Sequence, residues 1–178
     1  SGYERILPEE NENSFYYLSV EGGERNLYQY DIDSRKNKLC LENEKILENA
    51  GGDIVGSDLC GKCQEGIVYW VRTWTEEREE KMFLLDHNGK IQELSMPQQL
   101  PVAGTHFYDV ICATEKGMYF WYLKDFESNG FQDNVDWQAY TEWEDLVNKK
   151  SVIKNVINPR MTAMGELVDE NGNPINGQ

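Results

Sequence analysis

The stretch SDLCGKCQEGIVYW, residues 57–70, sets a Cys-x-x-Cys pair, Cys60 and Cys63, directly before an apolar run. A dithiol at this spacing becomes reactive where a helix N-terminus lowers the thiolate pKa. Here a strand pattern follows instead, so the pair reads as scaffold. A structural zinc ion needs four ligands, and the candidates Cys40, Cys60, Cys63 and Cys112 contain no second Cys-x-x-Cys. Neither a metal nor another cofactor is expected. Four cysteines allow three disulfide pairings, while buried thiols in strands are the plainest account of Cys40 and Cys112.

The imidazoles are His87 and His106. His87 falls in the turn DHNG and is expected in solvent. His106 opens the run HFYDVIC, with no Ser, Cys or Thr nucleophile in a recognisable motif beside it, which disfavours a Ser-His-Asp hydrolase. The segment DENGN, residues 169–173, mimics part of a calcium loop through Asp169, Asn171 and Asn173. Its glycine is misplaced and no Glu follows at the required distance, so it reads as a hairpin turn.

Two kinds of residue remain as candidate binding groups. Asp58 and Asp109 occupy matching places in an internal repeat, where carboxylates can bind a cation or do acid–base work on a sugar. Repetition favours a plainer role, a hydrogen bond to the backbone of the neighbouring turn. Trp74, Trp137 and Trp143 stand among charged or polar residues, in RTWTEE, VDWQAY and TEWEDL. Exposed tryptophans beside carboxylates stack on sugars or anchor a protein partner, and the structural alternative is that each caps the rim between two sheets. Trp70 and Trp121 lie inside apolar runs and read as internal.

The elements that must position these groups are strands. Sliding SDLCGKCQEGIVYW forward by 51 residues lays it over YDVICATEKGMYFW, residues 108–121: Asp58 meets Asp109, Gly66 meets Gly117, and Trp70 meets Trp121. Cys63 falls on Thr114, so the cysteines are not part of what repeats. A weaker copy, NSFYYLSV from Asn13, aligns with EGIVYWVR from Glu65. NLYQYDIDSRKNKLCL from Asn26 and KMFLLDHNGKIQEL from Lys81 both read as strand, acidic turn, strand, with Asp31 matching Asp86. Each copy therefore offers about four strands per ~50 residues, one of them apolar on both faces and in need of cover on both. Four-stranded antiparallel sheets arranged radially are the blades of a β-propeller.

The pattern of an aromatic strand followed by LYxYDID and an acidic turn resembles the degenerate blades of TolB-like bacterial β-propellers, over residues 13 to 123. That resemblance implies protein or carbohydrate ligands at a loop face, a bacterial source and an extracytoplasmic setting. The unpaired look of the cysteines argues for a cytoplasmic alternative. After GMYFWYLKDF the third copy departs from the pattern, with the polar insertion ESNGFQDNVD and then WQAYTEWEDL, a strand or a short helical turn.

Composition bounds the rest. In 178 residues, 12% are aromatic, which excludes a disordered chain, and 17 basic residues against 32 acidic ones give a net charge of −15. Such a surface repels a phosphate backbone, so no nucleic-acid partner is expected. The apolar runs are far shorter than the ~20 residues that cross a bilayer, so no membrane insertion is expected.

The sequence thus predicts an all-β fold of antiparallel, four-stranded, β-propeller-like blades, about three copies with a period near 51. The blades are expected over residues 1–150 (approximately 1–50, 51–105 and 106–150). Residues 151–178 form a C-terminal hairpin or open a following domain. MGELVDENGNPINGQ resembles the first strand of small immunoglobulin-like modules that begin GxVxDxxGxPIxG. Three blades do not close a ring of ~4 to 8. Either the chain is part of a larger protein, which is the first expectation, or a homodimer completes the ring, or the tail supplies strands. The expected function is a non-catalytic scaffold that recognises a protein or carbohydrate through Trp74, Trp137, Trp143, Asp58 and Asp109. The alternative is a glycan-active propeller enzyme using Asp58 and Asp109.

Overall fold

The computed structural model describes residues 5–9, 13–74, 78–96, 105–124, 137–150 and 154–157. It is mostly β and antiparallel. The first sheet is β1 (Ile6–Pro8), β2 (Ser14–Glu21), β3 (Glu24–Asp31) and β4 (Lys36–Leu41), in that spatial order. Helix α1 (Asn43–Ala50) follows. The second sheet is β5 (Ile54–Cys63), β6 (Gly66–Trp74), β7 (Arg78–Asp86) and β8 (Ile91–Leu94). The third is β9 (Thr105–Ala113), β10 (Gly117–Lys124), β11 (Trp137–Glu142) and β12 (Lys154–Ile157), with α2 (Trp143–Val147) between its last two strands. The chain divides into two compact units, Ser1–Leu94 and Ser95–Gln178. The first holds the first two sheets and α1; the second holds the third sheet and α2.

The expected hairpins form. Asp31 accepts from Ser34 N at 2.7 Å in the β3–β4 turn, and Asp86 accepts from Asn88 N and Lys90 N at 2.9 and 2.8 Å in the β7–β8 turn. The aligned residues also share a register. Asp58 pairs with Trp70 across β5–β6, and Asp109 pairs with Trp121 across β9–β10. At the start of each sheet's second strand, Ser14 faces Asp31, Gly66 faces Asp86, and Gly117 faces Glu142. Two differences stand against the expectation of strands alone. LENEKILENAGG forms α1, because Ile46 and Ala50, four apart, bury one stripe while Gly51, at φ 77°, stops the helix and donates to Leu47 O. In WQAYTEWEDL both readings hold in succession, a strand and then α2. In addition, β12 lies within the segment expected to open the tail.

Within the first unit, the two sheets bury facing sides in one core. Leu7, Leu18, Leu27 and Leu41 of the first sheet, with Ile46 and Ala50 of α1, meet Leu59, Ile67, Tyr69, Val71, Phe83 and Leu85 of the second. The period of two puts Val68, Trp70, Met82 and Leu84 on the other side of the second sheet, where they are buried too. The run GIVYWV is therefore covered on both faces, as its composition requires. Each large apolar side chain so buried contributes about 1.5–3 kcal/mol. Polar bonds fix the α1 connection: Arg25 N donates to Asn43 Oδ1 at 2.8 Å, Asn43 N donates to Asn26 Oδ1 at 2.9 Å, and Lys81 Nζ donates to Ala50 O at 3.1 Å.

The repeated glycines have a shared steric cause. A Cβ on Gly66 would lie 2.1 Å from Leu85 O, and one on Gly117 would lie 2.1 Å from Thr141 O, in both cases backbone of the next strand. Gly66→Ala and Gly117→Ala should each cost roughly 1–3 kcal/mol through forced backbone shifts. Urea unfolding of each variant checks this, and wild-type midpoints would contradict it. The Tyr69 hydroxyl is buried with no hydrogen-bond partner among the described residues, and burial pushes its pKa up. Tyr69→Phe is therefore expected to unfold at the wild-type urea concentration or above it.

Candidate functional site

The sequence candidates do not converge on one site. Asp58 sits in β5, and its Oδ1 accepts from its neighbour Leu59 N at 2.7 Å and from Arg5 N at 3.3 Å. Arg5 returns a bond from Nη1 to Leu59 O at 2.9 Å. The carboxylate thus ties the chain entering β1 to the second sheet; the backbone groups it holds are those of β5 and Arg5, not those of the neighbouring turn expected for it. Asp109 is placed by its pairing with Trp121; its side chain lies outside the described residues, as do those of His106 and Trp137. The segment 169–173 lies outside them as well. Trp74, at the end of β6, is 59% exposed. Trp143 corrects the expectation of exposure: it is buried at the start of α2 beside Leu146, and its Nε1 donates to Thr114 O at 2.9 Å. Its charged neighbours Glu144 and Asp145 misled the sequence reading, because three residues on a helix, not two on a strand, separate its inward partners.

Cys60 and Cys63 lie within β5, both buried, and burial pushes the Cys63 thiol up. No disulfide joins the four cysteines. Contrary to the sequence expectation, Cys112 is exposed and Cys40 only half-buried. Among the described residues no group of His, Cys, Asp and Glu is placed to hold a metal ion, and no helix is long and apolar enough to cross a membrane.

Two features escaped sequence reading. The first is a cleft of about 230 Å³ between the facing sheets of the first unit, lined by Tyr16, Lys38 and Cys40 on one side and Lys62, Ile67 and His87 on the other. Glu9 links its two sides: Lys62 Nζ donates to Glu9 Oε2 at 2.5 Å, and the Tyr16 hydroxyl bonds the same carboxylate. Burial raises the Glu9 pKa, but the bonds from Lys62 and Tyr16, together with the charges of Lys62 and His87, outweigh it and hold the carboxyl below its ordinary value. Burial and Glu9 push Tyr16 up, so it stays a donor, and burial pushes the Cys40 thiol up. His87 is exposed, as expected, with Nε2 3.0 Å from Gln64 O. A raised thiol and a neutral phenol make this a polar interlock between sheets; neither is an activated nucleophile.

The second feature is the outer side of the first sheet. Alternation along β2 and β3 sends Leu18 and Leu27 inward and Phe15, Tyr17, Tyr28 and Tyr30 outward. Their rings pair across the strands, Phe15 with Tyr30 at 5.2 Å and Tyr17 with Tyr28 at 5.6 Å between centroids. One row crosses all four strands through Ile6, Tyr17, Tyr28 and Leu39. The tyrosines are half-buried, while Ile6 is 54% and Leu39 44% exposed. Tyrosine, amphipathic and common on either side of a strand, hid this face from the sequence pattern.

No protein-family model, curated protein or solved structure matches the chain.

The Glu9 link carries a pH dependence. Since the folded state holds the Glu9 carboxyl below its ordinary value, the unfolded chain binds more protons in the window between the two values. The stabilisation is complete above the unfolded value and is lost as pH falls through the folded one. Glu9→Gln should therefore destabilise the protein at neutral pH, and the difference from wild type should shrink as the pH falls. Thermal melts from pH 7 to pH 3 check this; a difference that grows on acidification would contradict it.

Proposed function

We propose that the chain is a non-catalytic interaction scaffold built of propeller-like blades, engaging a protein partner through the outer face of its first sheet. The observation that carries this reading is the uncharged row Ile6, Tyr17, Tyr28 and Leu39 in a chain that is 28% charged. Interface cores are depleted in charge and rich in aromatic residues, and this face has both properties. Three consecutive four-stranded meanders with matching registers support the blade reading, and the TolB-like resemblance implies the extracytoplasmic setting. A broad sheet face of this kind suits a protein better than a sugar. The carbohydrate reading keeps Trp74 as its exposed platform. For the glycan-active alternative, the bonds of Asp58 to Leu59 N and Arg5 N favour a structural carboxylate.

The equivalent residue in the second sheet supplies an internal control. Tyr28→Lys should fold and lose only about 1 kcal/mol of ring stacking. Phe83→Lys, which buries a charge in the shared core, should not fold. Circular dichroism and melting of both variants test this, and loss of folding in Tyr28→Lys would show the face to be core and end the reading. A glycan-active enzyme would instead turn over polysaccharide, with activity lost in Asp58→Asn while the fold stays intact.

A further inference from the structure

Resting on that reading, we infer that the occupant of the aromatic face is the third sheet of a second copy of this chain, docked head to tail.

The shared register shows which surfaces correspond. With Ser14–Asp31, Gly66–Asp86 and Gly117–Glu142 equivalent, the pair Tyr17–Tyr28 in the first sheet corresponds to Tyr69–Phe83 in the second and Phe120–Ala139 in the third. The likeness extends to ring geometry. Tyr17 and Tyr28 stack at 5.6 Å and 23°, and Tyr69 and Phe83 stack at 5.4 Å and 27°. Neighbours on β1 and β5 correspond too, Ile6 beside Tyr17 and Leu59 beside Tyr69.

These equivalent rows differ in cover. Leu59, Tyr69 and Phe83 are fully buried beneath the inner, Leu18–Leu27 side of the first sheet. Phe120 and Ala139 are fully buried as well. Only the row of the first sheet is left partly open. The chain therefore already contains the interface that this face is built for: a Tyr17-type row under a Leu18-type side of another four-stranded sheet.

The same register identifies a matching side. The equivalents of Leu18 and Leu27 are Trp70 and Met82, both buried, and Trp121 and Gln138, both half-buried. Beside them Tyr119 and Tyr140 pair at 4.8 Å, also half-buried. The Trp121 side of a second copy is thus the available counterpart of the Tyr17 side of the first, and the contact extends to a new pair of chains the interface established between the first two sheets. Such a contact joins unlike patches, so two copies closing on each other make it twice. Together they carry six sheets, within the ~4 to 8 of closed radial arrays.

Charge sets a signature. Each copy bears −15, so two copies repel, whereas the rings that would meet, Tyr17 and Tyr28 with Trp121, carry no charge. Salt shortens the range of repulsion, to about 10 Å at 0.1 M, and should tighten this contact, where it would loosen one built on ion pairs.

The test is light scattering of the full chain over a concentration series at low and high salt. The expected mass is twice the 20.7 kDa of one chain, with a dimer fraction that rises with salt. Tyr17→Glu/Tyr28→Glu and, separately, Trp121→Glu should give single chains whose circular dichroism matches wild type. Mixing the two variants should restore dimers, since each supplies the face that the other lacks. Wild-type chains that stay single at every concentration and salt overturn the proposal, and so does a mixture that stays single while wild type pairs. Should Trp121→Glu fail to fold, the concentration series on wild type and the Tyr17/Tyr28 variant decide. Single wild-type chains together with a folded Tyr28→Lys would defeat self-docking and leave the scaffold reading standing; an unfolded Tyr28→Lys would defeat both.

Discussion

Everything described in the first unit depends on one constraint: the second sheet is apolar on both sides and has to be covered on both. Val68 and Tyr69, adjacent in β6, point to opposite faces, and both are buried. No single layer can satisfy such a strand, so the first sheet turns its leucines toward it and α1 closes the seam with Ile46 and Ala50. The polar bonds follow from that contact. Arg5, Arg25, Lys62 and Lys81 each reach from one layer to a partner on another, with the guanidinium of Arg25 donating from Nε to Ser57 Oγ at 3.0 Å. They fix the angle of the layers; the apolar area supplies most of the free energy.

That dependence also sets what two of the carboxylates of the first unit do. Both are engaged between layers: Asp58 with Arg5 and Leu59, Glu9 with Lys62 and Tyr16. For Glu9 the bonds from Lys62 and Tyr16 outweigh burial and favour the ionised carboxylate. The first sheet is different in kind. Its inner side is committed, and its outer side keeps an aromatic row that matches, ring for ring, a row buried elsewhere in the same chain.

Much of this was legible in the residues, and the exceptions have physical reasons. The run GIVYWV announced a strand buried on both faces, because nothing polar interrupts its period of two. Residues matched by the 51-residue offset share local geometry: Asp58 with Trp70 and Asp109 with Trp121 are register pairs, and both glycines sit where the next strand leaves no room for a Cβ. Helix α1 was missed because an eight-residue helix with two inward residues gives little periodic signal, and its clearest cue was the pair Gly51–Gly52. Trp143 lies among acidic residues in the sequence, and only the helical turn, which sets Trp143 and Leu146 on one side, takes it inward. The cleft behind Glu9 and Lys62 joins residues 53 positions apart, and no local pattern encodes a meeting at that distance.

The edges of the sheets carry a last consequence. The first sheet ends in β1, three residues closed by Pro8, and in β4, which opens with Lys36 and Lys38; the second ends in the four-residue β8 on one side and in the ten-residue β5 on the other. Proline lacks a donor, lysines resist desolvation, and a short strand offers few rungs, so lateral hydrogen bonding is blunted. Growth by adding strands to the ladder of the first sheet, the route to cross-β fibres, is thereby disfavoured. A contact made through the first sheet would therefore stack face upon face, at the ~10 Å layer spacing of packed sheets and not the ~4.8 Å spacing of paired strands.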